Sequence, residues 1–134
     1  MEFTGINYIA VVAAAAAGFV FGAIYYTTLG KPWMAAAKLN PDDINRANPV
    51  PYIVAAIAQL IIAYMLAGML GHLGTMTLKG ALITSVFIWF GFIVTTMAVN
   101  HRFQSAAPML TVIDSAHWLG VLLVMGVVIA LIGL

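Results

Sequence analysis

The chain has 134 residues, 64% of them hydrophobic and 7% charged, with a net charge of +1 and no cysteine. A soluble domain averages about 45–50% apolar and about 25% charged residues, and at this size it still leaves about a third of its chain surface in water. The composition excludes an ordinary soluble enzyme, a disordered segment and a disulfide-stapled domain, and basic residues this scattered make no nucleic-acid footprint.

What remains is an integral membrane protein whose first partner is the lipid bilayer. A transmembrane helix takes roughly 20 mostly apolar residues to cross about 30 Å of hydrocarbon. Four segments of one domain, 1–134, meet that requirement: 6–29, 50–71, 78–100 and 108–134. The expected fold is all-α, four transmembrane helices in an antiparallel bundle, with a short interfacial helix between the first and second.

The segment ahead of the first helix, Met1 to Asn7, carries Glu2 and no Lys or Arg, and so lacks the basic region of a signal peptide. The apolar run after it is also too long for one, so a retained helix is expected. In the first loop, Lys31-Pro32-Trp33-Met34 with Ala35 to Lys38 reads as an interfacial helix with Pro32 at its first position and Trp33 at headgroup level. Asn40 followed by Pro41, Asp42 and Asp43 reads as a second capped start. Pro49 and Pro51 open the second span. Lys79 begins the third, and His101 and Arg102 follow it in a tight loop near Ser105.

Lys31, Lys38, Arg46 and Arg102 fall in the first and third loops, against Lys79 alone on the other face. The positive-inside rule then puts those loops in the cytoplasm and both termini outside. Trp33 and Arg102 are the expected interfacial anchors.

Small residues mark where helices approach closely, because lipid offers little hydrophobic drive between them. Ala14, Gly18 and Gly22 form such a file in the first helix; Ala63, Ala67 and Gly71 form another in the second. Two uses of Gly18 and Gly22 are open: a homodimer seam, or packing within one subunit. Met65 and Met69 lie one turn apart, but without a cysteine or histidine pair they read as gap-filling side chains.

Polar residues inside the spans carry the functional signal, since a central acid or base costs about 2.5–3.5 kcal/mol on insertion scales. Asp114 is the one acid within a span, roughly 9 Å deep by helical rise. Thr111 and His117 flank it at i−3 and i+3, on one face. Thr95, Thr96 and Asn100 of the third helix, Gln59 of the second, and Tyr25 and Tyr26 of the first fall in the same half of the bilayer. The other half offers mainly Asn7, Tyr64, Thr84 and Ser85. The asymmetry predicts a polar pocket open toward the cytoplasmic loops. In it, Asp114 and His117 either exchange protons or, with Asp114 paired to Arg102 or His117, hold helices together. The three histidines sit too far apart in depth for a bis-histidine haem, and no P-loop, zinc motif or paired catalytic carboxylate is present. No metal and no cofactor is expected.

Tyr25-Tyr26-Thr27-Thr28-Leu29-Gly30-Lys31-Pro32-Trp33-Met34, Gly91 to Thr96, Asn100, Phe103, Ile113-Asp114 and Met125-Gly126 together resemble the signature of small bacterial four-span membrane proteins, the DUF1761 family, over nearly the whole chain. The sequence departs from that signature before Gly30, where a Ser-Pro and a second Leu-Phe are missing. It departs again at His117-Trp118, where a Gly-Tyr pair is usual. The resemblance implies a four-span fold in the bacterial cytoplasmic (inner) membrane and supplies no reaction. The expected function is a non-enzymatic accessory or scaffold subunit, as a homo-oligomer or within a larger membrane complex. The alternative is a small proton-linked transporter or channel using Asp114 and His117, with the small-molecule ligand unspecified.

Overall fold

A computed structural model describes residues 4–133; Glu2 ahead of the first helix and Leu134 at the end of the fourth predicted span lie outside the described residues. The elements are α1 (Tyr8–Thr28), α2 (Gly30–Ala37), a 3-10 turn (Pro41–Asp43), α3 (Val50–Leu73), α4 (Leu78–Ile88), a π-helical turn (Trp89–Val94), α5 (Thr95–Phe103) and α6 (Pro108–Ile132). The segment from Leu78 to Phe103 is continuous and forms a single third span, so among the described residues four helices are long and apolar enough to cross a membrane.

Local chemistry sets most of the ends. Asn7 caps α1, its side-chain oxygen accepting from the amides of Ile9 and Ala10 at 3.0 and 3.2 Å. α3 ends at Gly74, whose φ of 65° is the left-handed conformation that a side chain disfavours. There Gly74 N donates to Gly71 O, and Thr75 N to Leu70 O. Thr77 caps α4 by accepting from Gly80 N at 3.0 Å. Pro108 opens α6, where its missing N–H costs nothing.

Several features differ from the sequence expectation. α2 begins at Gly30, two residues before Pro32, because only Leu29 interrupts the helical path from α1. The Leu29 amide still donates to Tyr25 O, and Trp33 N to Leu29 O, so the backbone pairing runs through the bend. The third span extends to Phe103 and takes His101 and Arg102 into its last turn. The π turn inside it had no counterpart in the apolar pattern.

α6 is the centre of the bundle: it packs along α1 on one side and α4 on the other. α3 lies against α1 and approaches the third span mainly through α4. Burial follows this order, with 44% of the most apolar stretch of α6 buried against 11% for the third span. Small side chains sit at the crossings; Ala14, Ala63 and Ala81 are wholly inaccessible, and around them close Leu66, Leu70, Val121, Leu122 and Met125. That is the packing expected where close approach replaces hydrophobic drive.

The two glycines of α1 face inward. A Cβ on Gly18 would fall 2.6 Å from Gln59 Oε1 and 2.8 Å from Met125 Cε, and one on Gly22 would fall 2.8 Å from His117 Nε2. Both glycines pack within the subunit: the space beside Gly18 is taken by side chains of α3 and α6, and that beside Gly22 by His117 of α6.

Candidate functional site

Tyr25, Tyr26, Asp114 and His117 meet at the end of the bundle that carries the basic loops. Antiparallel packing puts the last turn of α1 beside the first turns of α6. Tyr26 Oη donates to Asp114 Oδ1 at 2.7 Å, and Tyr25 Oη donates to the carbonyl of Ile113 at 2.6 Å. Two adjacent tyrosines thereby grip two adjacent residues of α6. Trp33 of α2 closes the cluster from the surface, its ring edge-on to Tyr26 with centroids 5.7 Å apart.

His117 is buried in an aromatic enclosure. Its ring centroid lies 4.8 Å from Tyr26 and from Trp118, 5.5 Å from Tyr25 and 6.3 Å from Phe21. Nδ1 has no hydrogen-bond partner, and Nε2 points at the Gly22 position of α1. One turn along α1, Gln59 Oε1 is also buried without a partner, set against Gly18. Each side chain stands beside a glycine of α1, whose Cα–H groups make only weak contacts.

The other predicted pocket residues lie elsewhere. Arg102 does not pair with Asp114; its Nη2 donates to Ala106 O at 2.9 Å and Thr111 Oγ1 at 3.3 Å. His101 Nδ1 lies 2.8 Å from the same Thr111 hydroxyl. Thr111, Asp114 and His117 do share a stripe, but each i+3 step turns back about 60° at 3.6 residues per turn. The stripe therefore spans about 120°: Thr111 faces α5, and Asp114 and His117 face α1.

Thr95 and Thr96 are exposed and donate back to their own helix, Thr95 to Gly91 O at 2.9 Å and Thr96 to the carbonyls of Phe92 and Ile93. Those acceptors lie in the π turn, where the regular ladder is broken, which is where a hydroxyl is most useful at membrane depth. Thr96 and Asn100 line a groove of about 340 Å³ between α3 and α5, with Ile62, Ile93 and Met97 as walls and Trp118 as floor. The single predicted pocket is thus two places: a closed cluster between α1 and α6, and an open groove on the far side of α6.

Sequence reasoning missed three further ties. Trp89 Nε1 donates to Ser115 O at 2.7 Å, Ser85 Oγ to Leu122 O at 3.0 Å, and Asn7 Nδ2 to Ile132 O at 3.2 Å. Each acceptor is a backbone carbonyl, which carries no sequence signal. Among the described residues, no group of three or more His, Asp or Glu gathers as a metal site would require.

Fold and cluster together define a small all-α protein with four membrane-length helices, the last clamped on two sides by polar side chains. The chain belongs to the DUF1761 family, described as a protein of unknown function, whose model matches residues 9–130. Neither a curated protein nor a solved structure matches it.

Proposed function

We propose that the protein is a non-enzymatic accessory or scaffold subunit, self-associating or joined to a larger complex in the cytoplasmic membrane of a bacterium. The observation that carries this reading is where the polar side chains of the spans are spent. Tyr25, Tyr26, Ser85, Trp89 and Asn7 all reach α6 and hold it to α1 or the third span. They stabilise helix contacts, as polar groups in lipid commonly do. With Gly18 and Gly22 taken up inside the chain, the association surface falls on the sparsely buried third span. The basic bias of the first and third loops supports termini on the outer side.

The buried, unpartnered Nδ1 of His117, one turn from Asp114, favours a second reading: a proton-linked transporter or channel using that pair. One variant separates the two. Asp114→Asn is expected to lower the thermal stability of the folded chain in nanodiscs, with no pH-dependent flux in proteoliposomes of either form. Unchanged stability with a flux lost in the variant alone overturns the scaffold reading in favour of transport.

A further inference from the structure

We propose that the groove between α3 and α5 is a lipid-binding site, holding one acyl chain of an anionic phospholipid drawn from the leaflet at the basic end of the bundle. α3 is held to α1, and the third span is held to α6, while α3 and α5 hardly touch. A slot about 340 Å³ in volume is left between them. It opens laterally at membrane depth, so something of the bilayer fills it.

The lining states what that is. Ile93, Thr96, Met97 and Asn100 recur at i, i+3, i+4 and i+7, one stripe of α5 and the π turn roughly 10 Å long. Ile62 faces them from α3, and the half-buried Trp118 closes the back. The deep part is apolar. Thr96 satisfies its own hydroxyl by bonding back to Phe92 and Ile93, which leaves its chain as a neutral wall. The polar group toward the basic end is Asn100, an exposed carboxamide suited to the ester or phosphate oxygens of a lipid.

Charge complementarity selects the headgroup. Lys31, Lys38, Arg46 and Arg102 are exposed at this end against the exposed Asp42 and Asp43, a surplus of two positive charges, so this end of the bundle attracts an anionic phospholipid. The π turn is the device that builds the slot. Trp89 pins it to Ser115 of α6, so the third span follows α6 and leaves α3.

The test uses the full chain in vesicles of phosphatidylglycerol brominated along the acyl chain, with tryptophan fluorescence as readout. The difference between the chain and its Trp118→Phe variant isolates Trp118. Trp118 is expected to be quenched at least twofold, and Thr96→Phe, which fills the slot, is expected to remove most of that quenching with helix content unchanged by circular dichroism. Trp118 left unquenched overturns the proposal and shows protein in the groove; cross-linked dimers of Thr96→Cys then identify a second copy. Quenching that survives Thr96→Phe also overturns it, since Trp118 then meets bulk lipid. In mixed vesicles, brominated phosphatidylglycerol is expected to quench at least threefold more than brominated phosphatidylcholine at equal mole fraction. Equal quenching by the two removes the anionic headgroup from the proposal.

Discussion

The two sides of α6 are built on opposite principles. Toward α1 the contact is closed: glycines admit Met125 and His117 to the helix backbone, and Tyr25 and Tyr26 bond across to Ile113 and Asp114. Toward α5 the contact thins, and α3 and α5 leave a groove floored by Trp118. In water both would close, because apolar surface would be driven together. In lipid that drive is absent, so a helix pair closes where small residues and hydrogen bonds close it and stays apart where they are missing. The closed side follows from the placement of two glycines and two tyrosines.

The sharpest way to break the comparison is to fill the closed side. Gly22→Leu drives a side chain into His117, and is expected to destabilise by about 1–3 kcal/mol, the usual cost of overpacking. Gly91→Leu, at an exposed position of the third span with no atom within 4 Å of its would-be Cβ, is expected to change stability by less than about 0.5 kcal/mol. Thermal unfolding of both in one detergent checks the contrast, and equal losses would show that the Gly22 position is not closed.

Further substitutions test the ties themselves. Tyr26→Phe leaves the Asp114 carboxylate without its donor and is expected to cost about 1.5–3 kcal/mol, the range for hydrogen bonds to charged groups. The double variant with Asp114→Asn should recover part of that, measured as a coupling in a double-mutant cycle. Trp89→Phe removes the bond to Ser115 O and is expected to cost about 0.6–1.7 kcal/mol, the range seen for interhelical hydrogen bonds in a membrane. Gln59→Met carries the opposite sign. It replaces a buried, unpartnered acceptor with an apolar chain of similar length, and is expected to raise the unfolding temperature by a few degrees. A drop there would reveal a partner for Oε1.

These expectations also mark what the sequence could convey. The four spans were legible because apolar length alone decides them, and Asp114 and His117 stood out as polar groups in apolar runs. Rise along a helix gives depth, so Tyr25 and Tyr26 could be placed at the level of Asp114. It gives no direction around the helix, and that is where the pocket divided: Thr96 and Asn100 share a depth with the cluster and face another way. Arg102 was a plausible partner for Asp114 by proximity in the chain, but the tight turn at Ser105 aims it at Ala106 and Thr111. The π turn was hidden because its residues are ordinary helix formers in lipid, and the ties of Trp89 and Ser85 end on backbone carbonyls.

The bend at Leu29 has a mechanical consequence. Hydrogen bonds cross it on both sides, and Trp33 rests edge-on against the ring of Tyr26, which holds Asp114. α2 is therefore a short lever hinged on one residue, with its far end at Lys38 on the surface. Whatever leans on that lever, a headgroup or a neighbouring protein, pushes on the hydroxyl at the half-buried Asp114 carboxylate, and a label at Lys38 would report how that carboxylate is held.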